Sequence, residues 1–228
     1  MTIFLEAVLV CKQYDDFLKI TLPINKKHFD NYVVVTTEED IATQNACKEN
    51  NVKFVLSENF CLNGPFNMGA ATNDGFKALE KKDWILRLDA DIALPDDFRE
   101  QINKLELDKE YLYTASRLMR ETFEQWEKYK LSEEGHKEDD IQGSGYFQMF
   151  NVFSKVLKDR HPWYSNSFPT AQGCDWDFRD LWLKKNLTKP LKFSVIHLGP
   201  AWINWSGRVT KTFDKKNEEE KKFIGKYN

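Results

Sequence analysis

The sequence predicts an α/β protein with a mostly parallel central sheet flanked by helices, folded as a single compact domain. Three observations carry that expectation. Short apolar runs alternate with segments of helical periodicity through the first ninety residues, which is the pattern of βαβ units. The chain has 228 residues, of which 41% are hydrophobic, enough for one well-buried core. No stretch approaches the roughly 18 consecutive apolar residues that a membrane-spanning helix needs.

The elements follow in order. Residues 3–11 (IFLEAVLVC) form a nearly continuous β-type run, and a helix follows from Asp15 with Phe17 and Leu18 on its inner side. YVVVT at 32–36 is a second strand, 39–50 a helix, VKFVL at 52–56 a third strand, 66–79 a helix, and DWILRL at 83–88 a fourth strand. Runs this apolar belong to parallel strands covered on both faces. Pro95 opens a helix reaching Leu105, and 111–115 is strand-like. Phe123, Trp126 and Tyr129, three apart, predict an exposed amphipathic helix within 117–140, followed by a loop around 133–140. GSGYFQMF at 143–150 reads as a strand entered through glycines, 175–186 as a helix, and 191–198 as the last core strand. The tail from 215 is polar.

Composition narrows the class. A 30% charged fraction and a net charge of -3 belong to a globular protein. Residues 3–11 are interrupted by Glu6 and lack a preceding basic region, so no signal peptide is expected. Cys11, Cys47, Cys61 and Cys174 contain no C-x-x-C pair, so reduced thiols and a cytoplasmic location are the expectation. Charge is uneven: 117–140 carries -3, whereas 177–228 carries +6 and faces either solvent or an anionic ligand.

The sharpest local signal is Arg87-Leu88-Asp89-Ala90-Asp91 at the end of the fourth strand. Residues two apart on an extended segment share a face, so two carboxylates meet at the C-terminal edge of the sheet, where ligands of open α/β folds bind. Such a pair suits Mg²⁺ or Mn²⁺ and, through it, a phosphate. Upstream, Asn67, Gly69 and Asn73 lie near a helix start, suited either to reading a nucleoside or sugar hydroxyl or simply to capping and close packing. Downstream, Asp175 and Asp177 flank Trp176; one suits a general base beside an aromatic platform, and Asp175 is equally suited to cap the helix. His197 ends the last strand as a further metal-ligand candidate. Trp202, Asn204, Trp205, Gly207, Arg208 and Lys211 add an aromatic and basic group, with Arg208 and Lys211 placed to neutralise a diphosphate.

In this order the set resembles the GT-A-fold (Rossmann-like) glycosyltransferases, most closely glycosyltransferase family 2 in its small, phage-type stand-alone form. The resemblance covers roughly residues 3–210, with 117–140 unmatched. It implies a domain over 1–214, with a nucleotide-sugar-binding half at 1–91 and an acceptor half at 92–214, before a tail at 215–228. It further implies that Asp89 and Asp91 bind the donor and its metal, Asp91 directly, with His197 completing the site. Asp175, or second Asp177, would be the base, and Lys12, Thr36, Thr37 and Glu38 stand where the uridine is contacted. Arg87 joins the donor-binding group. The implied reaction is metal-dependent transfer from a nucleoside-diphosphate sugar, UDP-sugar favoured, with inversion. The acceptor is a hydroxymethylated pyrimidine in DNA or a saccharide, and a phage-encoded member would act in a host cytoplasm. Three rivals are a nucleotidyltransferase, a non-catalytic sugar- or nucleotide-binding module and a metal-dependent nuclease. The first relies on a glycine-rich loop after the first strand, and Cys11-Lys12-Gln13-Tyr14-Asp15 has no glycine.

Overall fold

The computed structural model describes residues 2–138 and 145–200. The expectations for Gly143, Ser144, Trp202, Asn204, Trp205, Gly207, Arg208, Lys211 and the tail lie outside the described residues. The chain runs β1 (Leu5–Val10), α1 (Asp15–Asn25), β2 (Asn31–Thr36), α2 (Ile41–Glu49), β3 (Lys53–Leu56), α3 (Met68–Lys77) and β4 (Trp84–Asp89). It continues through β5 (Ile92–Ala93), α4 (Phe98–Lys104), β6 (Leu112–Arg120), α5 (Phe123–Tyr129), β7 (Lys137–Glu138), β8 (Phe147–Asn151), α6 (Cys174–Leu183) and β9 (Thr188–Leu198).

One sheet holds every described strand, in the order β3-β2-β1-β4-β8-β6-β9-β5, with β7 beside β6. β1 pairs in parallel with both β2 and β4, and β2 with β3. β8 is antiparallel to both β4 and β6, while β6 and β9 are parallel. The long strands β1, β2, β3, β4, β6 and β9 therefore point one way, with β8 inserted against them. Between β1 and β4 the strand order reverses, and such a switch point opens a crevice at the carboxyl ends of the strands. Because β8 runs the other way, its N-terminal end arrives at that same edge.

Alternation along β1 explains why helices cover both faces. Val8 and Val10 join Val33, Val35, Ile85 and Phe150 beneath Phe76 of α3 and Phe178 and Trp182 of α6. Ala7 and Leu9 face the other way, onto Leu18 and Leu22 of α1 and Ala46 and Cys47 of α2. Gly75 lets α3 approach closely, since a Cβ there would overlap the side chains of Val8 and Val35. The four cysteines are free thiols. No helix among the described residues is long and apolar enough to cross a membrane.

The reading of 117–140 needs correction. β6 runs on to Arg120, pairing in parallel with β9, and only Phe123–Tyr129 is helical. Arg117 and Arg120 disguised the strand because they are charged, yet both are buried. Helix α5 starts where the Thr122 side chain accepts the Gln125 N–H and ends at Lys130, whose φ is 46°. Its stripe is mixed: Trp126 is buried and Phe123 exposed. The segment beyond hangs on Arg120, whose guanidinium donates to the carbonyls of Met119, Lys130 and Ser132.

Candidate functional site

Asp89 closes β4 at the switch point, and Asp91 follows two residues on, in the turn. The turn between β4 and β5 is held from below by α1. Thr21 Oγ1 donates to Ala90 O at 2.7 Å, Asn25 Nδ2 to Ile92 O at 2.7 Å, and Leu94 N to Asn25 Oδ1 at 2.9 Å. Both side chains are fully buried. From the other side β9 fixes the turn, with Ile92 in register with His197 and Leu198 N donating to Asp91 O at 2.9 Å. The outcome is a His197 Nε2–Asp91 Oδ2 separation of 3.9 Å, with both side chains largely shielded.

An imidazole with a carboxylate is a donor set for Mn²⁺ or a related divalent ion; adjacent donors about 2.1 Å from one octahedral ion stand roughly 3 Å apart, so this pair would have to close by about 1 Å on a shared cation. The three-residue set of the sequence reading is not assembled, however. Among the described residues no three His, Cys, Asp or Glu side chains gather to hold a metal. Asp89 is directed instead to Arg87, its Oδ1 lying 2.7 Å from Arg87 Nη2. Burial raises the Asp89 carboxyl above its usual range against the pull of Arg87, with Asp91 adding to the rise and His197 and Arg117 opposing it. Arg117 was missed in the sequence. It is buried on β6 with its guanidinium 4.7 Å from the centre of the Tyr146 ring, close enough to be felt by Asp89.

Arg87 is 1% exposed, so its expected direct contact with a donor does not hold. It spans β4 and β8, donating to Gly145 O and lying against the Met68 sulfur. Next to it stands Asp175. A Cβ on Gly145 would overlap the Asp175 carboxylate, so any side chain there would push the carboxylate aside. Asp175 is not the N-cap of α6, a place held by Gly173 at φ 90° without a side-chain bond, but its Oδ1 accepts the first-turn Trp176 N–H at 2.9 Å. Burial pushes the Asp175 carboxyl up to about 6, with Arg87 holding it down and Asp89 adding to the rise. Asp177, two residues on, turns away and pairs with Arg160. Trp176 between them is exposed, with Arg179 stacked 5.5 Å from its ring centre.

Several expected ligand-reading residues are spent on structure. Asn67 is fully buried: its Oδ1 caps α3 at Ala70 N, and its Nδ2 donates to Leu62 O and Asn166 O. Asn73 holds Tyr164 and Asn166, and a Cβ on Gly69 would overlap Ser165 O. The N-x-G-x-x-x-N motif thus clamps the 164–166 loop onto α3. Thr36 is buried beside the Asp40 carboxylate, which also accepts from Gln13 N and from Thr43. Thr37 is buried too, Glu38 lies open, and Lys12 reaches over to Cys61 Sγ at 3.5 Å. Trp163, in the loop that α3 holds, packs edge-on against Phe76 and Phe150. Arg208 lies outside the described residues.

Among solved structures, 4-diphosphocytidyl-2C-methyl-D-erythritol synthase from Anaerococcus prevotii matches over 100% of this chain and 99% of its own, with a TM-score of 0.50 and 13% identity. The fold is GT-A-like. Glucosyl-3-phosphoglycerate synthase from Mycobacterium tuberculosis, solved with Mn²⁺, UDP-glucose and phosphoglyceric acid, matches over 50% of this chain and 43% of its own, with a TM-score of 0.40 and 14% identity. Its complex with Mn²⁺, UDP and glucosyl-3-phosphoglycerate gives 0.38 and 16%, over 51% of this chain and 44% of its own. This chain thus spans less than half the length of that enzyme. No protein-family model matches the chain, and no curated protein matches its sequence.

Proposed function

We propose that this GT-A-like chain is a metal-dependent glycosyltransferase that moves a sugar from a nucleoside-diphosphate sugar, UDP-sugar first, to an acceptor hydroxyl with inversion. The observation that supports it best is the His197–Asp91 pair, 3.9 Å apart at the sheet edge, with Asp89 within its electrostatic reach and Asp175 on the far side of Arg87. Asp91 and His197 would hold the cation. When bound, a divalent cation supplies charge neutralisation for a departing diphosphate. Asp89, fixed by Arg87, offers acceptor oxygens to donor hydroxyls. Asp175, with its carboxyl at about 6, is ionised at neutral pH yet basic enough to take the proton of an attacking hydroxyl. Exposed Trp176 presents a flat apolar face beside it, suited to the face of an acceptor sugar.

A saccharide acceptor is the first reading. The second, a hydroxymethylated pyrimidine in DNA, is favoured by the +6 charge over 177–228. Nucleotidyl transfer is disfavoured although one full-length structural match is to a nucleotidyltransferase. The loop after β1 has no glycine, and its Gln13 N–H is donated to Asp40 at 2.6 Å rather than held open for a triphosphate.

The test is transfer of labelled sugar from a panel of nucleotide sugars, with Mn²⁺, to oligosaccharides and to hydroxymethylcytosine-containing duplex. Label should move from one donor to one acceptor class. Asp175→Asn should cut transfer by about 10²–10⁴-fold, as loss of a general base does, while Asp177→Asn stays near wild type. Nicking of the duplex without sugar transfer would replace this reading with the nuclease.

A further inference from the structure

We propose that Arg87 is a positioning residue that locks the donor-side carboxylate Asp89 and the seat of the candidate base Asp175 into one unit; this rests on the glycosyltransferase reading. Arg87 is 1% exposed and cannot meet a substrate, so whatever it does passes through its neighbours. One arm of the guanidinium holds Asp89 Oδ1 at 2.7 Å, and the other donates to Gly145 O. Gly145 is the residue whose missing Cβ makes space for the Asp175 carboxylate.

Directly across the strand pair, Arg87 is in register with Gln148 of β8. Gln148 is fully buried, donates from Nε2 to Asp175 O at 2.9 Å, and accepts from the Tyr164 hydroxyl. Tyr164 in turn stacks on Phe178 of α6, with ring centres 4.1 Å apart and planes 11° from parallel. The cross-strand pair Arg87–Gln148 therefore grips the first turn of α6 twice, by charge near its carboxylate and by a hydrogen bond at its backbone. Asp89 and Asp175 repel one another, and a planar, permanently charged fork between them offsets both while leaving each oriented. A lysine would supply the charge but not the two-armed geometry.

The experiment is a double-mutant cycle of Arg87→Met and Asp175→Asn on the full chain, read as kcat, donor KM and urea midpoint. Arg87→Met should lower kcat about 100-fold and raise donor KM about 10-fold, since it releases both carboxylates. In the Asp175→Asn background the same substitution should cost less than about 3-fold more in kcat, because the base it positioned is gone. The donor KM should still rise there, because Asp89 again loses its partner. Arg87→Lys should recover part of the KM effect and little of the kcat effect. Should Arg87→Met fail to fold, Gly145→Ala carries the test, displacing Asp175 without touching Asp89; kcat should fall at unchanged donor KM.

Kcat losses that multiply in the double mutant, with a shifted urea midpoint, would make Arg87 a structural residue only and overturn the proposal. So would wild-type kcat in Gly145→Ala. Failure of the underlying reading looks different: the unsubstituted protein would turn over no nucleotide sugar at all.

Discussion

Ionising Asp175 costs the folded state. Its carboxyl is raised by burial to about 6, above the 3.8 of a free group. The stability tied to its protonated form is therefore complete below pH ~4 and is lost as pH rises through about 6. Asp175→Asn should unfold at a higher urea concentration than wild type at pH 7.5, by about 1–2 kcal/mol, and at an equal one at pH 4. Turnover in wild type should climb through about pH 6 on its acid side, as a base with that carboxyl requires. A variant that is more stable yet inactive is the signature of a residue kept for chemistry; a less stable one would assign Asp175 to structure. At this scale the sequence carried a good deal. The strand ends placed Asp89 and His197 at the sheet edge, but Asp91 lies in the turn after β4, so alternation along a strand does not account for it. The sequence could not choose between Asp175 and Asp177, because Arg160, which engages Asp177, lies seventeen residues away. It also mistook Arg87 for a ligand contact, since nothing local tells a buried arginine from an exposed one.

Among the elements, α1 does more than cover the sheet. Thr21 and Asn25 sit on the same inner stripe as Phe17, Leu18 and Leu22, and all five are buried. Polar residues on a core-facing stripe were the available signal, but their partners lie 67 to 69 residues away and are invisible locally. Asn25→Leu should strand Ile92 O and Leu94 N and cost about 2–4 kcal/mol, given 1–3 kcal/mol for each buried group left unsatisfied. Urea unfolding measures it, and a loss under 0.5 kcal/mol would mean the β4–β5 turn holds without α1. Helix α3 teaches the reverse lesson. Its motif was visible, but Asn67, Gly69 and Asn73 are consumed in capping and in binding the 164–166 loop. A spacing pattern cannot say whether an amide is already satisfied.

Over the whole molecule, the alternation of apolar runs and helices was sufficient for the α/β class and for seating Asp89 at the carboxyl end of a parallel strand. The strand at 143–150 was legible, but not its direction or place, because the antiparallel insertion of β8 depends on pairing across some sixty residues, Leu86 to Met149 and Arg87 to Gln148. Stability of the whole also responds to pH through His28, remote from the site. His28 is buried against the edge of Phe98, and its Nε2 has no partner among the described residues. Burial, helped by Lys27, lowers its pKa to about 4. A depressed group contributes stability above its unfolded pKa of ~6.5, and this is lost as pH falls through about 4. His28→Leu should therefore flatten the fall in urea midpoint between pH 7 and 4, whereas an unchanged slope would place acid sensitivity elsewhere.

A metal-assisted nucleotide-sugar site at the switch point would show itself in thermal unfolding with nucleoside diphosphates and nucleotide sugars, in Mn²⁺ or EDTA, on wild type and Asp91→Ala. A ligand at ~100 times its dissociation constant stabilises by about 2.7 kcal/mol. Tm should rise with one nucleotide in Mn²⁺, and the rise should be absent in EDTA and lost in Asp91→Ala. A Tm indifferent to every nucleotide, or a rise that survives both EDTA and Asp91→Ala, would contradict such a site.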